Sequence, residues 1–265
     1  MTLMFSARSL FQEIVDNDAS YRLFCSIAAS GEAQGGWENG RIAALLPDSQ
    51  RALAPKVARH GADEDKHGRI FNALLRKRGL TPVEVPAATD YTMLLERRGI
   101  GLAHDRLRRD EPLSERDIVT YLAHSRVTEQ RAAEQMVLLR RYFGDHPEVG
   151  RAVRMICHDE ENHLAYCHEE LLRLAGAGHG RAIQRTLREC ALAEIAVHRD
   201  VSLAVMARMG RILGWSRARS ALLRAGIAAL YGYERLFGWR RMVSLAMPER
   251  QNALGGPATA APEFA

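Results

Sequence analysis

The chain has 265 residues, of which 47% are hydrophobic and 26% charged, a balance that excludes disordered and fibrous classes and suits a soluble globular domain with a sizeable core. Its formal charge of +5 is carried on scattered arginines, without the Lys/Arg block of a nucleic-acid-binding tail. No apolar run approaches the ~18 residues of a membrane span or the length of a signal peptide, so a cytoplasmic protein without a membrane partner is expected.

Ala, Leu, Arg and Glu dominate, all of them good helix formers, and alternating Val-Ile-Thr patterns are nearly absent. The expected fold class is all-α. A short helix is predicted at about residues 6 to 16, followed by a long one from near Asp18 to Leu46. Pro47-Asp48-Ser49 closes it and supplies Asp48 or Ser49 as N-cap for a second long helix, which stops at Gly79; Pro55 is a candidate kink near its start. Residues 80 to 113 form a long connection with a short helix around Tyr91 to Arg98. A third long helix is capped by Ser114 and Asp117 and reaches Phe143. A fourth has Pro147 in its first turn and ends near Ala175, at Gly176 and Gly178. Two more helices are expected at 180 to 213 and 216 to 246. The helical domain is thus read as residues 1 to 248, with a Pro/Gly/Ala-rich tail over 249 to 265 expected to be disordered. Cys25, Cys157, Cys167 and Cys190 form no C-x-x-C pair, which argues for buried reduced thiols and against a zinc or rubredoxin-like site.

An internal repeat carries the chemistry. Glu32 precedes Glu64-x-x-His67 by 32 residues, and Glu129 precedes Glu160-x-x-His163 by 31. Glu and His at i and i+3 share one helix face. Two such helices, each paired with a helix bearing a lone Glu, bring four carboxylates and two imidazoles to one height of a bundle. That is the ligand recipe of a dimetal carboxylate site, with Glu32, Glu64, His67, Glu129, Glu160 and His163 as candidate ligands. Small residues flank the lone acids: Ala28, Ala29, Gly35 and Gly36 around Glu32, and Ser125, Ala132 and Ala133 around Glu129. They leave room for metal or substrate, or serve close helix packing. Glu38 and Glu134 compete as lone ligands but shorten both spacings to 26. Asp63 and Asp159, each one residue before a ligand Glu, are turned about 100° round the helix and are candidates to hold the outer N–H of a histidine on the neighbouring helix. His60, one turn before Glu64, and His158 are weaker candidates. Glu194 and His198 form an i, i+4 pair that could supply an additional ligand or lie on the surface. Some of the charges in Arg126-Val-Thr-Glu129-Gln-Arg131-Ala-Ala-Glu134 are expected to face solvent.

With these motifs the sequence resembles the ferritin-like di-iron carboxylate superfamily. Asp-Glu-x-x-His twice is similar to the pattern of bacterial multicomponent monooxygenases and of the radical-generating subunit of ribonucleotide reductase. The closest overall resemblance, over residues 24 to 227, is to cyanobacterial aldehyde-deformylating oxygenase, through Gly31-Glu32-Ala-Gln-Gly-Gly-Trp-Glu38-Asn39, Leu45-Leu46-Pro47-Asp48-Ser49 and Met209-Gly-Arg-Ile-Leu-Gly214-Trp-Ser216. The resemblance implies a four-helix bundle with one long crossover and additional C-terminal helices. It implies two iron ions, or a manganese–iron pair, as cofactor. The implied activity is an O₂-activating oxidase or oxygenase acting on a small organic substrate, an aldehyde-deformylating enzyme among the alternatives. Without flavin or iron–sulfur motifs, such an enzyme needs an external electron donor. A peroxide-scavenging or iron-handling protein of ferritin or rubrerythrin type, and a tRNA hydroxylase, are competing readings. A homodimer is allowed.

Overall fold

A computed structural model describes residues 6–245 and is helical throughout, with no strand among the described residues. The tail expected to be disordered lies outside the described residues, as does the end of the domain proposed at 248. Helix α1 (Ala7–Asp16) is capped by Ser6, and Asn17 caps α2 (Asp18–Leu45) by accepting from the amides of Ala19 and Ser20. A 3₁₀ turn at Asp48–Gln50 follows, and α3 spans Ala54–Lys77. Two details differ from the sequence reading. The residue before α3 is Leu53, with no side-chain cap, so neither Asp48 nor Ser49 starts this helix. Pro55 does not kink it but sits in its first turn, where its missing N–H costs nothing. Gly79 ends the helix with φ +70°, a left-handed conformation that suits glycine.

The connection to the next long helix contains a 3₁₀ turn (Ala87–Thr89), α4 (Tyr91–Arg97) and a short α5 (His104–Leu107) that the sequence did not announce. It is stitched to α2: Leu113 N–H donates to Leu45 O over 2.8 Å, and Arg41 Nε donates to Leu107 O over 2.9 Å. Helix α6 (Glu115–Phe143) begins with the expected Ser114–Asp117 capping box. Helix α7 (Gly150–Leu174) begins three residues after Pro147, because a turn closed by Gly150 N–H to His146 O, 2.8 Å, comes first. A π turn at Ala175–His179, with Gly178 at φ +104°, leads directly into α8 (Gly180–Ile212). The last expected helix is divided into α9 (Arg217–Tyr233), a π turn (Glu234–Gly238) and α10 (Trp239–Val243).

Helices α2 and α3 pack as one hairpin and α6 and α7 as another, with α8 laid along α6. Between the hairpins α3 and α7 run antiparallel: His60 meets Tyr166 and, seven residues on, His67 meets Asp159 seven residues earlier. The expectation that some charges near Glu129 face solvent is overturned for Arg126 and Arg131, while Glu134 stays half-buried. Helix α8 and the Glu234–Val243 segment cover that face of α6. Arg131 is buried and clasps Glu194 on α8 (2.9 Å) and Glu234 (2.8 Å). Arg126 is buried as well, donating to Gln130 Oε1 at 3.0 Å and to the Ser244 carbonyl at 3.1 Å.

The α2–α3 contact depends on missing side chains. A Cβ on Gly61 would stand 3.0 Å from Gly36 O and 3.1 Å from Gly40 N, both backbone atoms that cannot step aside. A Cβ on Gly36 would overlap the Asp65 carboxylate. Gly61→Ala should therefore destabilise the fold although alanine is the better helix former. Overpacking costs about 1–3 kcal/mol against a propensity gain of about 1 kcal/mol, so the net loss is on the order of 1 kcal/mol. A lowered thermal midpoint checks this; an unchanged or raised one would contradict the close approach.

Candidate metal centre

The two hairpins bring all six expected side chains into one cluster, drawn from α2 (Glu32), α3 (Glu64, His67), α6 (Glu129) and α7 (Glu160, His163), with Glu32 half-buried and the other five buried. The cluster comprises two groups that could hold a metal ion: Glu32, Glu64, His67 and Glu160, and His60, Glu64, Glu129 and His163. In each, one ligand atom per residue lies within 4.8 Å of the others. Glu64 belongs to both.

Several features fit a cation. Nδ1 of His67 and Nδ1 of His163 are buried and make no hydrogen bond, and neither does Glu129 Oε2. Carboxylate oxygens surround both nitrogens without engaging them. Glu32, Glu160 and Glu64 stand 3.4, 3.6 and 3.7 Å from His67 Nδ1. Glu64 and Glu129, both at 3.6 Å, and Glu160 at 3.8 Å stand round His163 Nδ1. Neighbouring ligands about 2.1 Å from one ion lie about 3.0–3.4 Å apart, so these separations approach those of atoms around a common centre. Among the described residues, four of the ten buried side-chain polar atoms without a hydrogen bond gather in this one cluster, His163 Nε2 being the fourth.

The outer nitrogens face the opposite way. His67 Nε2 lies 3.0 Å from Asp159 Oδ2, and His163 Nε2 lies 3.6 Å from Asp63 Oδ2. Lys66 ties the two aspartates together, 2.6 Å from Asp63 and 2.7 Å from Asp159. Lys66 belongs to no sequence motif; its role depends on α3 and α7 meeting.

Glu38 and Glu134 are engaged elsewhere, Glu38 with His104 at 2.7 Å and Glu134 with Arg241 at 2.8 Å. Glu194 and His198 join neither group, a correction to the sequence reading. Both oxygens of Glu194 accept from Arg131 at 2.9 Å and one also from Tyr91 at 2.9 Å, while His198 Nε2 lies 3.0 Å from Gln135 Nε2. His60, weighed only weakly from sequence, stands in the second group. The signal that could have found it is His60-x₃-Glu64-x₂-His67 on one helix face. All four cysteines are buried free thiols.

The electrostatics follow from crowding carboxylates into a largely buried cluster. Burial raises Glu32 well above the carboxylate range, helped by the charge of Glu64. Burial and the charge of Glu129 push Glu160 up to about 8. Burial alone would also raise Glu64 and Glu129. Hydrogen bonding from Glu32, His60 and His67 instead holds Glu64 well below its ordinary value, and the charges of His60 and His163 hold Glu129 low. Burial depresses the imidazoles, but the facing carboxylates outweigh it, raising His67 and His163 to about 11.

No protein-family model, no curated protein and no solved structure matches the chain. The functional reading therefore stands on the geometry.

The raised groups set a pH dependence. His67, His163, Glu32 and Glu160 hold protons more tightly folded than unfolded. Their stabilising contribution is complete below the unfolded values and is lost as pH climbs. For the histidines that window runs from about 6.5 toward 11. A divalent ion bound there would replace these protons. Protein stripped of metal should thus melt at lower temperature as pH rises from about 7 to 9, with the gap to Co(II)-loaded protein widening over that range. Differential scanning calorimetry at both ends decides; a gap that shrinks with pH would contradict proton–metal exchange in the cluster.

Proposed function

We propose that the chain is a ferritin-like dimetal oxidoreductase that uses iron to activate O₂ for oxidation of a small organic substrate. The observation that carries the reading is the pair of adjoining groups sharing Glu64, with imidazole nitrogens left unpartnered in a buried core. Imidazole together with carboxylate suits iron and, for the carboxylate-rich group, manganese. Bound, such a pair supplies redox chemistry toward O₂ and Lewis acidity.

The chain's own residues do the rest. Glu64, common to both groups, can hold the two positions together. Asp159 fixes the orientation of His67, and Lys66 balances the charge of both outer aspartates. An apolar cleft lies beyond the cluster, lined among others by Phe24, Phe71, Met136, Phe143 and Ile156. Phe71 and Ile156 stand one helical turn, about 6 Å, from His67 and Glu160. A water-excluding apolar wall beside the cluster supports a substrate with little polarity. Its roughly 60 Å³ of free space favours a small one over a long alkyl chain. Electrons would come from an external donor, since none of the buried free thiols is paired as a redox couple.

Full-length protein produced with iron should contain about two iron ions per chain, and Glu160→Ala about one or fewer. Anaerobic ferrous protein should consume O₂ in a single fast turnover and then stop. Fewer than about one metal ion per chain in the parent overturns the reading. Uptake continuing far beyond two ions per chain would assign the protein to iron storage instead.

A further inference from the structure

Helix α3 carries a third imidazole into the cluster. His60 is 2% exposed, and its Nε2 lies 2.8 Å from Glu64 Oε1 and 3.3 Å from Glu129 Oε1. Its ring stacks on that of His163, with centroids 3.9 Å apart and planes at 26°.

Its other nitrogen belongs to a chain of hydrogen bonds whose direction can be read. Asn39 Nδ2 donates to Gly35 O at 3.0 Å, which turns Asn39 Oδ1 toward Tyr121. That oxygen only accepts, so the Tyr121 hydroxyl donates to it over 2.7 Å. The Tyr121 oxygen is then the acceptor for Tyr166, whose hydroxyl lies 2.7 Å away. With its single proton used, Tyr166 accepts from His60 Nδ1 at 2.7 Å. The chain therefore places a proton on Nδ1 and makes Nε2 the nitrogen that faces two carboxylate oxygens. Without metal, Nε2–H donates to Glu64 Oε1 over 2.8 Å, and a metal ion would take the place of that proton between the imidazole and the two carboxylates. His67 and His163 show the same arrangement, one nitrogen turned toward the carboxylates and the other toward an outer side chain.

We propose that His60 is a third imidazole ligand, oriented through Tyr166, Tyr121 and Asn39. One metal position is then built from two imidazoles and two carboxylates, and the other from one imidazole and three carboxylates. The inference rests on the dimetal reading and adds that its two positions are chemically unequal. Glutamate oxygens dominate one position and histidine nitrogens half of the other, so the two bind a given ion with different affinity.

The test uses full-length protein loaded with Co(II). Calorimetric titration should resolve two cobalt ions with distinct affinities. Proton NMR in water should show paramagnetically shifted, solvent-exchangeable imidazole N–H signals, one of which His60→Gln alone removes. Tyr166→Phe, a milder change, should leave the fold intact and weaken one cobalt affinity about 10–100-fold while sparing the other. Circular dichroism confirms that each variant is folded. Two cobalt ions bound by the parent, with every shifted signal and both affinities unchanged in His60→Gln, would overturn the third ligand alone. Unchanged affinities in Tyr166→Phe would overturn the orienting chain. Fewer than one cobalt ion bound by the parent would overturn the dimetal reading itself.

Discussion

Four carboxylates crowded into one cluster, three of them buried and Glu32 half-buried, set the terms for the rest of this molecule. Glu32, Glu64, Glu129 and Glu160 come from four different helices and meet in two adjoining groups that share Glu64. Moving each charge out of water costs several kcal/mol even after relaxation, on the order of the whole stability of a domain when summed. The arrangement persists only with compensating positive charge. Protons on the imidazoles supply part of it, which is why His67 and His163 stand so far above their ordinary range. Two divalent ions would supply it in full, since four negative charges would meet four positive ones and the imidazoles could stay neutral. The helix register, the glycine contact at Gly61 and the lysine bridge at Lys66 all keep these charges at one height.

A second ionic layer stands behind the first. Glu129 and Arg131 are two residues apart on α6 and so point about 200° from one another, one inward to the cluster and one outward to α8. Arg131 holds Glu194 and Glu234, and Arg241 links Glu234 to Glu134. Buried pairs of this kind add little net stability, but removing one partner strands the others at about 3–5 kcal/mol. Their effect is to fix how α8 and the Glu234–Val243 segment sit on α6. The π turn before α10 is part of the same device, because it contains Glu234 at its first position.

How much of this was legible in the sequence follows from the range of each interaction. Glu64 with His67 and Glu160 with His163 are local, one turn apart, and were readable from helical geometry. Glu32 and Glu129 needed the matched spacing of two hairpins and the small residues beside Glu32. Of these small residues Gly36 serves close packing against α3, where Gly61 does the same, while Gly35 lies against the side chain of Glu64. His60 was visible but not compelling, since a histidine one turn before a glutamate is as common on a solvated face as in a core. Lys66, Tyr121 and Tyr166 were not legible, because their partners come from other helices. The charges of α6 were misread because no local pattern announces that α8 and a later segment will cover them. The same blindness made Glu194 a candidate ligand when its partner is Arg131.

The repeat that exposed the site is also where its symmetry breaks. Position i−4 before the paired glutamate is His60 in one hairpin and Ile156 in the other. Because α3 and α7 run antiparallel, these two residues lie at opposite ends of the cluster. The His60 end is polar, closed by Tyr166, Tyr121 and Asn39 in a directed chain of hydrogen bonds. The Ile156 end opens on aromatic and aliphatic side chains. An ion-binding centre needs neither difference, for two identical ends would hold two ions equally well. The two ends of the cluster therefore differ in kind, a proton-bearing network at one and an apolar wall at the other, and the difference starts from a single position of the repeat.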